Sequence, residues 1–380
     1  MRDPRFDRLA ELVVDHSLEL KRGQVLRIQG GTVAAPLILA LHRAALARGA
    51  HAYAAVELEG LRELLVADGS FEQIDFVSPI ELREQDAIDA AVTIWAHANT
   101  RSFTRLDPER HQRQIAAERQ LAIRRRDRVA RGELRWCGTA SPANGDAQDA
   151  GMSLADYEDF VFRACHVLDD DPIAHWRRTS EQLKLRAAEL GSVRELRIVG
   201  EDTDLTVGIE GRTWRAAYGL QNMPDGEVYT SPLETAVDGT IRFGFPAVFE
   251  GREIDDLRLR FEDGRVVGAE AAGGLGYFDA LLEMDEGARG IGEVAFGLNY
   301  EIDRFTRNVL FDEKIGGTMH IALGMGFADL GGLNRSSLHL DLICDLRAEG
   351  EVYADGDLIW RAGRFVREAA TGEAVAAHGR

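Results

Sequence analysis

The segment Ser337-Leu338-His339-Leu340-Asp341 sets a histidine and an aspartate two residues apart inside a run, Leu338 to Leu346, that is otherwise apolar except for Asp345 near its end. In a β-strand, residues i and i+2 point to the same face, so the imidazole and the carboxylate would project side by side. Ionisable groups on a buried strand are costly unless they are paired or hold a metal. His320 stands in a second strand-like run, Thr318-Met319-His320-Ile321-Ala322-Leu323. Glu227 follows the turn chemistry of Pro224-Asp225-Gly226, at the entry to a strand. Glu293 is the one charge in the glycine-rich apolar stretch from Gly290 to Asn299.

Each of these has an ordinary reading. A lone histidine in an apolar strand is commonly a hydrogen-bonded core residue. Glu227 reads equally as a solvent-exposed strand-edge glutamate, and Glu293 as a carboxylate exposed at a turn or held by something positive. Taken together they supply two imidazoles and three carboxylates, an inventory suited to one or two divalent ions such as zinc, manganese or cobalt. Two ions about 4 Å apart can share a carboxylate and a water, whose pKa falls towards about 7 when it is bound.

Other motifs are weaker. Gly30-Gly31-Thr32 after a strand is not GxGxxG, and HExxH and GxSxG are absent. Cys137, Cys165 and Cys344 show no CxxC spacing, so a thiolate zinc site is not expected, and Cys137 and Cys344 read as small core residues. Asp169-Asp170-Asp171 reads as an acidic cap flanking a helix, with His166 and His175 as surface or core histidines of a helical region. His97 follows the end of a buried strand, where a cleft residue can sit. Asn334-Arg335-Ser336 matches a glycosylation sequon that a cytosolic chain would not use.

The elements that must position these groups fall into two textures. Strands at Gln24 to Gln29, Ala50 to Val56, Ala90 to Ala96 and Leu134 to Gly138 alternate with helices at Ala34 to Arg48, Leu61 to Ala67 and Asp107 to Arg128, which predicts a mostly parallel sheet. Met152 to Leu190 reads as helical, with Ser153 as N-cap. After Gly191, short strands and turns dominate: Val193 to Gly200, Asp204 to Glu210, Thr240 to Phe249, Leu257 to Phe261 and Val266 to Ala271. Hairpins are expected at Asp263-Gly264 and Asp355-Gly356, one helix from about Tyr277 to Gly290, and a frayed tail over the last ten or so residues. The expected class is α/β: an N-terminal α/β domain, residues 1–188, and a C-terminal α+β domain, residues 189–380, rich in antiparallel strands and carrying the metal site.

The 380 residues suffice for two cores. The net charge of -19 argues against non-specific nucleic-acid binding, which needs Lys and Arg to neutralise phosphates. The basic cluster Arg124-Arg125-Arg126-Asp127-Arg128 reads as a solvated helix face. No apolar run long enough to span a membrane and no signal-peptide pattern appear, so the sequence predicts a cytoplasmic protein.

The stretches Asn222–Pro232, Asp303–Gly317, Thr318–Gly324 and Gly331–Asp341, with Trp95–Thr100 and Met152–Ala164 in the first half, resemble the M29 metallopeptidases, the aminopeptidase T family. The resemblance implies a homodimeric aminopeptidase acting on peptides, with two divalent ions held by Glu227, Glu293, His320, His339 and Asp341. It also exposes a departure: where the family has a tyrosine near the metals, this chain has Phe327, and the segment between the two histidines is shorter. No general base is assigned. Glu313 and Lys314 are candidates, against the reading of a structural Glu–Lys pair. Two alternatives stand beside the peptidase. One is a ring-cleaving dioxygenase of the 2,5-dihydroxypyridine type with a single Fe(II) on His320, His339 and Asp341. The other is a catalytically silent member that binds a peptide or small molecule.

Overall fold

A computed structural model of the chain describes residues 3–249 and 251–367. The expected frayed tail lies outside the described residues. The chain divides into two compact units. One comprises the described residues up to His175 together with Gly219–Pro224. The other comprises Trp176–Tyr218 together with the described residues from Asp225 onward.

The first unit is built on a five-stranded sheet in the order His51–Glu57, Val25–Gly31, Ala90–Trp95, Arg135–Ala140, Asn222–Met223, with every pairing parallel. The helix Ala35–Ala47 stops where Gly49 takes a positive φ, and Pro108–Ala130 starts where the Asp107 carboxylate accepts from the Glu109 and Arg110 amides. The arginine cluster is not simply a solvated face. The Arg128 side chain is 11% exposed and donates to the carbonyls of Gln85 and Ile88, closing the end of the helix Pro79–Ala87. Arg125 lies over the Trp136 ring.

The helical stretch expected from Met152 to Leu190 is two helices, Leu154–Ala164 and Pro172–Leu190. His166, at φ 57°, breaks the first, and Pro172 opens the second. Ser153 caps the first helix by accepting from the Asp156 amide. From the second helix, Leu183, Ala187 and Leu190 pack into the core of the second unit.

That core lies beneath two antiparallel sheets. One has eight strands and includes Glu195–Gly200, Thr203–Gly208, Val237–Phe243 and Leu257–Glu262. The other has five, in the order His339–Asp345, Thr318–Gly324, Ile291–Gly297, Glu227–Thr230, Arg215–Ala217. Leu196, Ile198, Leu205 and Trp360 from the first meet Val228, Phe296, Met319 and Ile321 from the second in one cluster. The expected strand Thr240–Phe249 is split into Val237–Phe243 and Ala247–Phe249, with Pro246, which has no amide to donate, between them. Asp263-Gly264 and Asp355-Gly356 form tight turns with positive φ at both residues of each pair.

The expected helix Tyr277–Gly290 is shorter, Leu275–Leu282. Past it, Asp285 is taken up by a different task. Its carboxylate accepts from the Ser336 hydroxyl, from the amide and hydroxyl of Ser337, and from the Gly287 amide. Asn334 donates to the Gly287 carbonyl and accepts from the Ser336 amide, so the sequon is a turn-fixing residue. This network anchors the chain just before His339. The hydrogen bonds from Ser337 and Ser336 hold the Asp285 carboxyl down at about 2. Its folded pKa therefore lies below the unfolded value of about 3.9, so its stabilisation is present above that value and is lost as pH falls through about 2. Asp285→Ala is expected to cost about 1–3 kcal/mol at pH 7. Urea melts of the two proteins should show this difference at pH 7 and a narrowing difference between about pH 4 and 2; a difference independent of pH would contradict the assignment.

Candidate metal centre

The five-stranded sheet has one core face and one polar face, set by the two-residue period of its strands. Val228, Val294, Phe296, Met319, Ile321, Leu323, Leu340 and Leu342 enter the core. The alternate positions carry Glu227, Tyr229, Glu293, Ala295, His320, Ala322, His339 and Asp341, as the register fixes: Tyr229 opposite Ala295, Ala295 opposite His320, Ala322 opposite Asp341, Gly324 opposite His339. The side-by-side projection of His339 and Asp341 is thus present, and four adjacent strands bring all five predicted residues to one patch.

Two glycines make this possible. Gly226, at φ 122°, lets the chain pass within 3.0 Å of the Asn299 Cβ, measured from where a Cβ would stand, immediately before Glu227. Gly292 sits at a bulge between Ile291 and Glu293, and a Cβ there would fall 2.3 Å from the Met325 carbonyl oxygen.

The distances define a compact cluster. Glu293 reaches one histidine with each oxygen: Oε1 lies 3.6 Å from His320 Nε2 and Oε2 3.4 Å from His339 Nε2. His320 Nε2 is also 3.7 Å from Glu227 Oε2, and His339 Nε2 is 3.5 Å from Asp341 Oδ1. The other nitrogen of His339, Nδ1, is 3.0 Å from the Met325 carbonyl oxygen. An Nδ1–H donating there leaves Nε2 free to act as a ligand, the usual second-layer arrangement of a metal-binding histidine. Behind the cluster lies Lys314, with no exposed surface. Its ammonium pairs with Glu313 and stands 3.8 Å from Glu227 Oε1. Glu313, His320 and Asp341 each offer a ligand atom, all within 4.8 Å of one another, and so do Glu293, His339 and Asp341.

The protonation states show how strongly these groups depend on each other. Burial pushes Glu227 well above the usual carboxylate range, against the pull of Lys314. Burial also lifts Asp341 to about 6. Glu293 is buried too, but its contacts with His320 and His339 overcome that and hold it at about 2. Burial disfavours the charged imidazoles, yet the surrounding carboxylates raise His320 to about 9 and His339 to about 10. In Lys314, Glu227 and Glu313 outweigh burial and keep the ammonium charged.

The residues fit a divalent ion on two counts. The donors are nitrogen and carboxylate oxygen, the set zinc, cobalt and manganese accept. Two buried carboxylate oxygens of the cluster, Glu227 Oε2 and Asp341 Oδ1, have no hydrogen-bond partner, which is uncommon for buried polar atoms.

The other singled-out residues lie elsewhere. His97, in the first unit, has its Nδ1 2.8 Å from Asp146, which also accepts from the His97 amide; that hydrogen bond raises its pKa. His166 and His175 stack with ring centroids 3.5 Å apart, and both contact the Asp169 carboxylate. Asp171 caps the following helix by accepting from the Ala174 amide. Cys137, Cys165 and Cys344 are buried free thiols.

Two neighbours of the cluster had no signal in the sequence. The Tyr229 ring packs 5.2 Å from Phe327, which in turn meets His339 edge-on at 5.7 Å. Arg215, one strand over, hydrogen-bonds the Tyr229 phenol and pairs with Asp329. Their relevance follows only from pairing of the strand Arg215–Ala217 with the Glu227 strand.

The sequence profile of the thermophilic metalloprotease family, M29, matches residues 2–365. Aminopeptidase 2 of Geobacillus stearothermophilus is 27% identical over 97% of this chain and 99% of its own length. Aminopeptidase T of Thermus aquaticus is 31% identical over 54% of this chain and 58% of its own. The solved structure of wild-type AmpT from Thermus thermophilus superposes with a TM-score of 0.84 at 25% identity, covering 96% of this chain and 99% of that one. A 2,5-dihydroxypyridine dioxygenase from Pseudomonas putida KT2440 shares the fold at a TM-score of 0.60 and 16% identity, over 96% and 98% of the two chains. With a family match over nearly its whole length and a polar sheet face of histidines and carboxylates, this chain belongs to the M29 metalloproteases, hydrolases that act on peptides.

Proposed function

We propose that the protein is an aminopeptidase that releases N-terminal residues through a two-ion centre held by Glu227, Glu293, His320, His339 and Asp341, and that the second unit is its catalytic part. The observation that carries this reading is the division of the polar face into two histidine–carboxylate sets that meet at Asp341. Glu293 spans the two histidines with its two oxygens. Charge supports the same count. Glu227 and Glu313 lie against the ammonium of Lys314, and Glu293 and Asp341 stand beside the imidazoles; with the four carboxylates ionised, as ligands are, and the imidazoles neutral, three negative charges remain, and buried Asp225 adds to that field. One divalent ion would leave the cluster negative; two would balance it. Bound there, such ions would supply an activated water and a Lewis acid for the scissile carbonyl.

The chain's own residues do the rest. The carboxylates offer partners to a substrate's free α-ammonium. Lys314 fixes Glu227 from behind. Phe327 presents a ring edge to His339 and no hydroxyl, whereas Tyr229, beside it on the same face, keeps its phenol protonated through burial and can donate a hydrogen bond to developing oxyanion charge. A single-iron centre on His320, His339 and Asp341 would need both imidazoles around one point; here each belongs to its own carboxylate set. A homodimer, as the family resemblance implies, completes the proposal. Among the described residues no helix is long and apolar enough to cross a membrane.

Three experiments test the reading. Glu293→Gln should lower hydrolysis of Leu-p-nitroanilide by more than about 100-fold, since even second-layer partners of metal ligands cost about 10- to 100-fold; unchanged activity would remove Glu293 from the centre. Chelation should abolish turnover, and about two equivalents of zinc, cobalt or manganese per chain should restore it, whereas one iron with oxygen uptake on a dihydroxypyridine would overturn the peptidase. Tyr229→Phe should reduce kcat by about 100-fold with little change in KM, the signature of a lost oxyanion donor; a change confined to KM would make Tyr229 a binding-wall residue only.

A further inference from the structure

We infer that Glu313 is a sixth ligand of the centre, serving the ion on the His320 side, and that Asp341 is shared between the two ions. This rests on the two-ion reading above and adds to it a residue and a division of labour.

The geometry separates two sets of donors. Glu293, His339 and Asp341 form one, and Glu313, His320 and Asp341 form the other, each with its ligand atoms within 4.8 Å of one another. Asp341 is the member common to both. Glu313 immediately precedes Lys314, and an ordinary structural Glu–Lys pair would need nothing beyond the ammonium. Here the Glu313 side chain is largely buried and reaches His320 and Asp341 as well. Lys314 hydrogen-bonds Glu313 and stands 3.8 Å from Glu227 Oε1, while Glu227 Oε2, 3.7 Å from His320 Nε2, is left without a hydrogen bond. The one ammonium thus lies against both carboxylates that neighbour His320.

Two carboxylate oxygens are independent signs that a ligand belongs here: Glu227 Oε2, 3.7 Å from His320 Nε2, and Asp341 Oδ1 are buried and have no hydrogen-bond partner. With Glu313 included, the His320 side holds Glu227, Glu313, His320 and the shared Asp341, enough to complete a four-coordinate oxygen-and-nitrogen site. Without it, that side has one donor fewer, and the Glu293 oxygen near His320 belongs to a carboxylate whose other oxygen is beside His339.

The test compares wild type with Glu313→Gln, whose amide oxygen still accepts from Lys314, and with Glu313→Asp, which keeps the charge and shortens the reach. Each protein is stripped, reloaded with zinc, dialysed and analysed for metal content, with affinities from calorimetry and folding checked by thermal melting of the stripped forms. Wild type should hold about two ions, Glu313→Gln about one, and Glu313→Asp two with the weaker site loosened about 10- to 100-fold. Two ions in Glu313→Gln at wild-type affinities would overturn the sixth ligand and leave the two-ion aminopeptidase intact. Should Glu313→Gln fail to fold, Glu313→Asp decides by the same affinity criterion. A single ion in wild type would overturn both the two-ion reading and the role of Glu313.

Discussion

Lys314 places an ammonium, wholly out of contact with solvent, against Glu227 and Glu313, beside a sheet whose opposite face is packed with Val228, Phe296, Met319 and Ile321. Charges in such a place lose their hydration and recover it only through partners at close range. One ammonium cannot serve this many carboxylates, and the imbalance sets the chemistry of the whole patch. Burial lifts Glu227 and Asp341 out of their usual range, and the surrounding carboxylates make bases of His320 and His339. A surface patch of the same composition would be screened by water and would exert no such demand. The apolar core beneath the sheet is therefore part of the centre, since it keeps water from paying the debt that a cation would otherwise settle.

The scaffold meets this demand with rigid elements. Four hydrogen-bonded strands fix the spacing of Glu227, Glu293, His320, His339 and Asp341, and the eight- and five-stranded sheets enclose one aromatic-rich core around Phe296, Trp214 and Trp360. The turns that deliver the strands are fixed as well: Asp285 and Asn334 hold the approach to His339, and Gly226 admits the close passage before Glu227. The likeness in fold to both an aminopeptidase and a dioxygenase shows how little the backbone alone decides.

Much of this could be read from the residues because strands have a period of two. His339 and Asp341 are legible as a pair from spacing alone, and His320 stands out against its apolar neighbours. The parallel sheet of the first unit follows from alternating strand and helix patterns, and the strands fall within a residue or two of expectation. Reading fails where a long-range partner decides. The helix after Leu275 is cut short before Asp285, a residue committed to Ser336 and Ser337 far along the chain. The helix Pro172–Leu190 continues the helical texture of the first half, but its apolar residues pack into the second core. Glu313 looks like half of an ordinary ion pair until the fold carries it to His320 and Asp341.

The bulge at Gly292 has the character of a frameshift. Ile291 and Glu293 are two apart and in a regular strand would share a face, yet Ile291 opposes Leu323 in the core while Glu293 opposes Ala322 on the polar side. The inserted residue changes the reading phase of the strand, so that the residues before it spell a core and those after it spell a ligand face and a core in alternation. A single-residue deletion here would leave composition and hydropathy almost untouched and yet turn the carboxylate that joins the two histidines into the oil beneath them. The arrangement of Glu293 is thus encoded partly in the parity of a count, which insertion or deletion would change directly, and partly in the glycine that lets the extra residue fit.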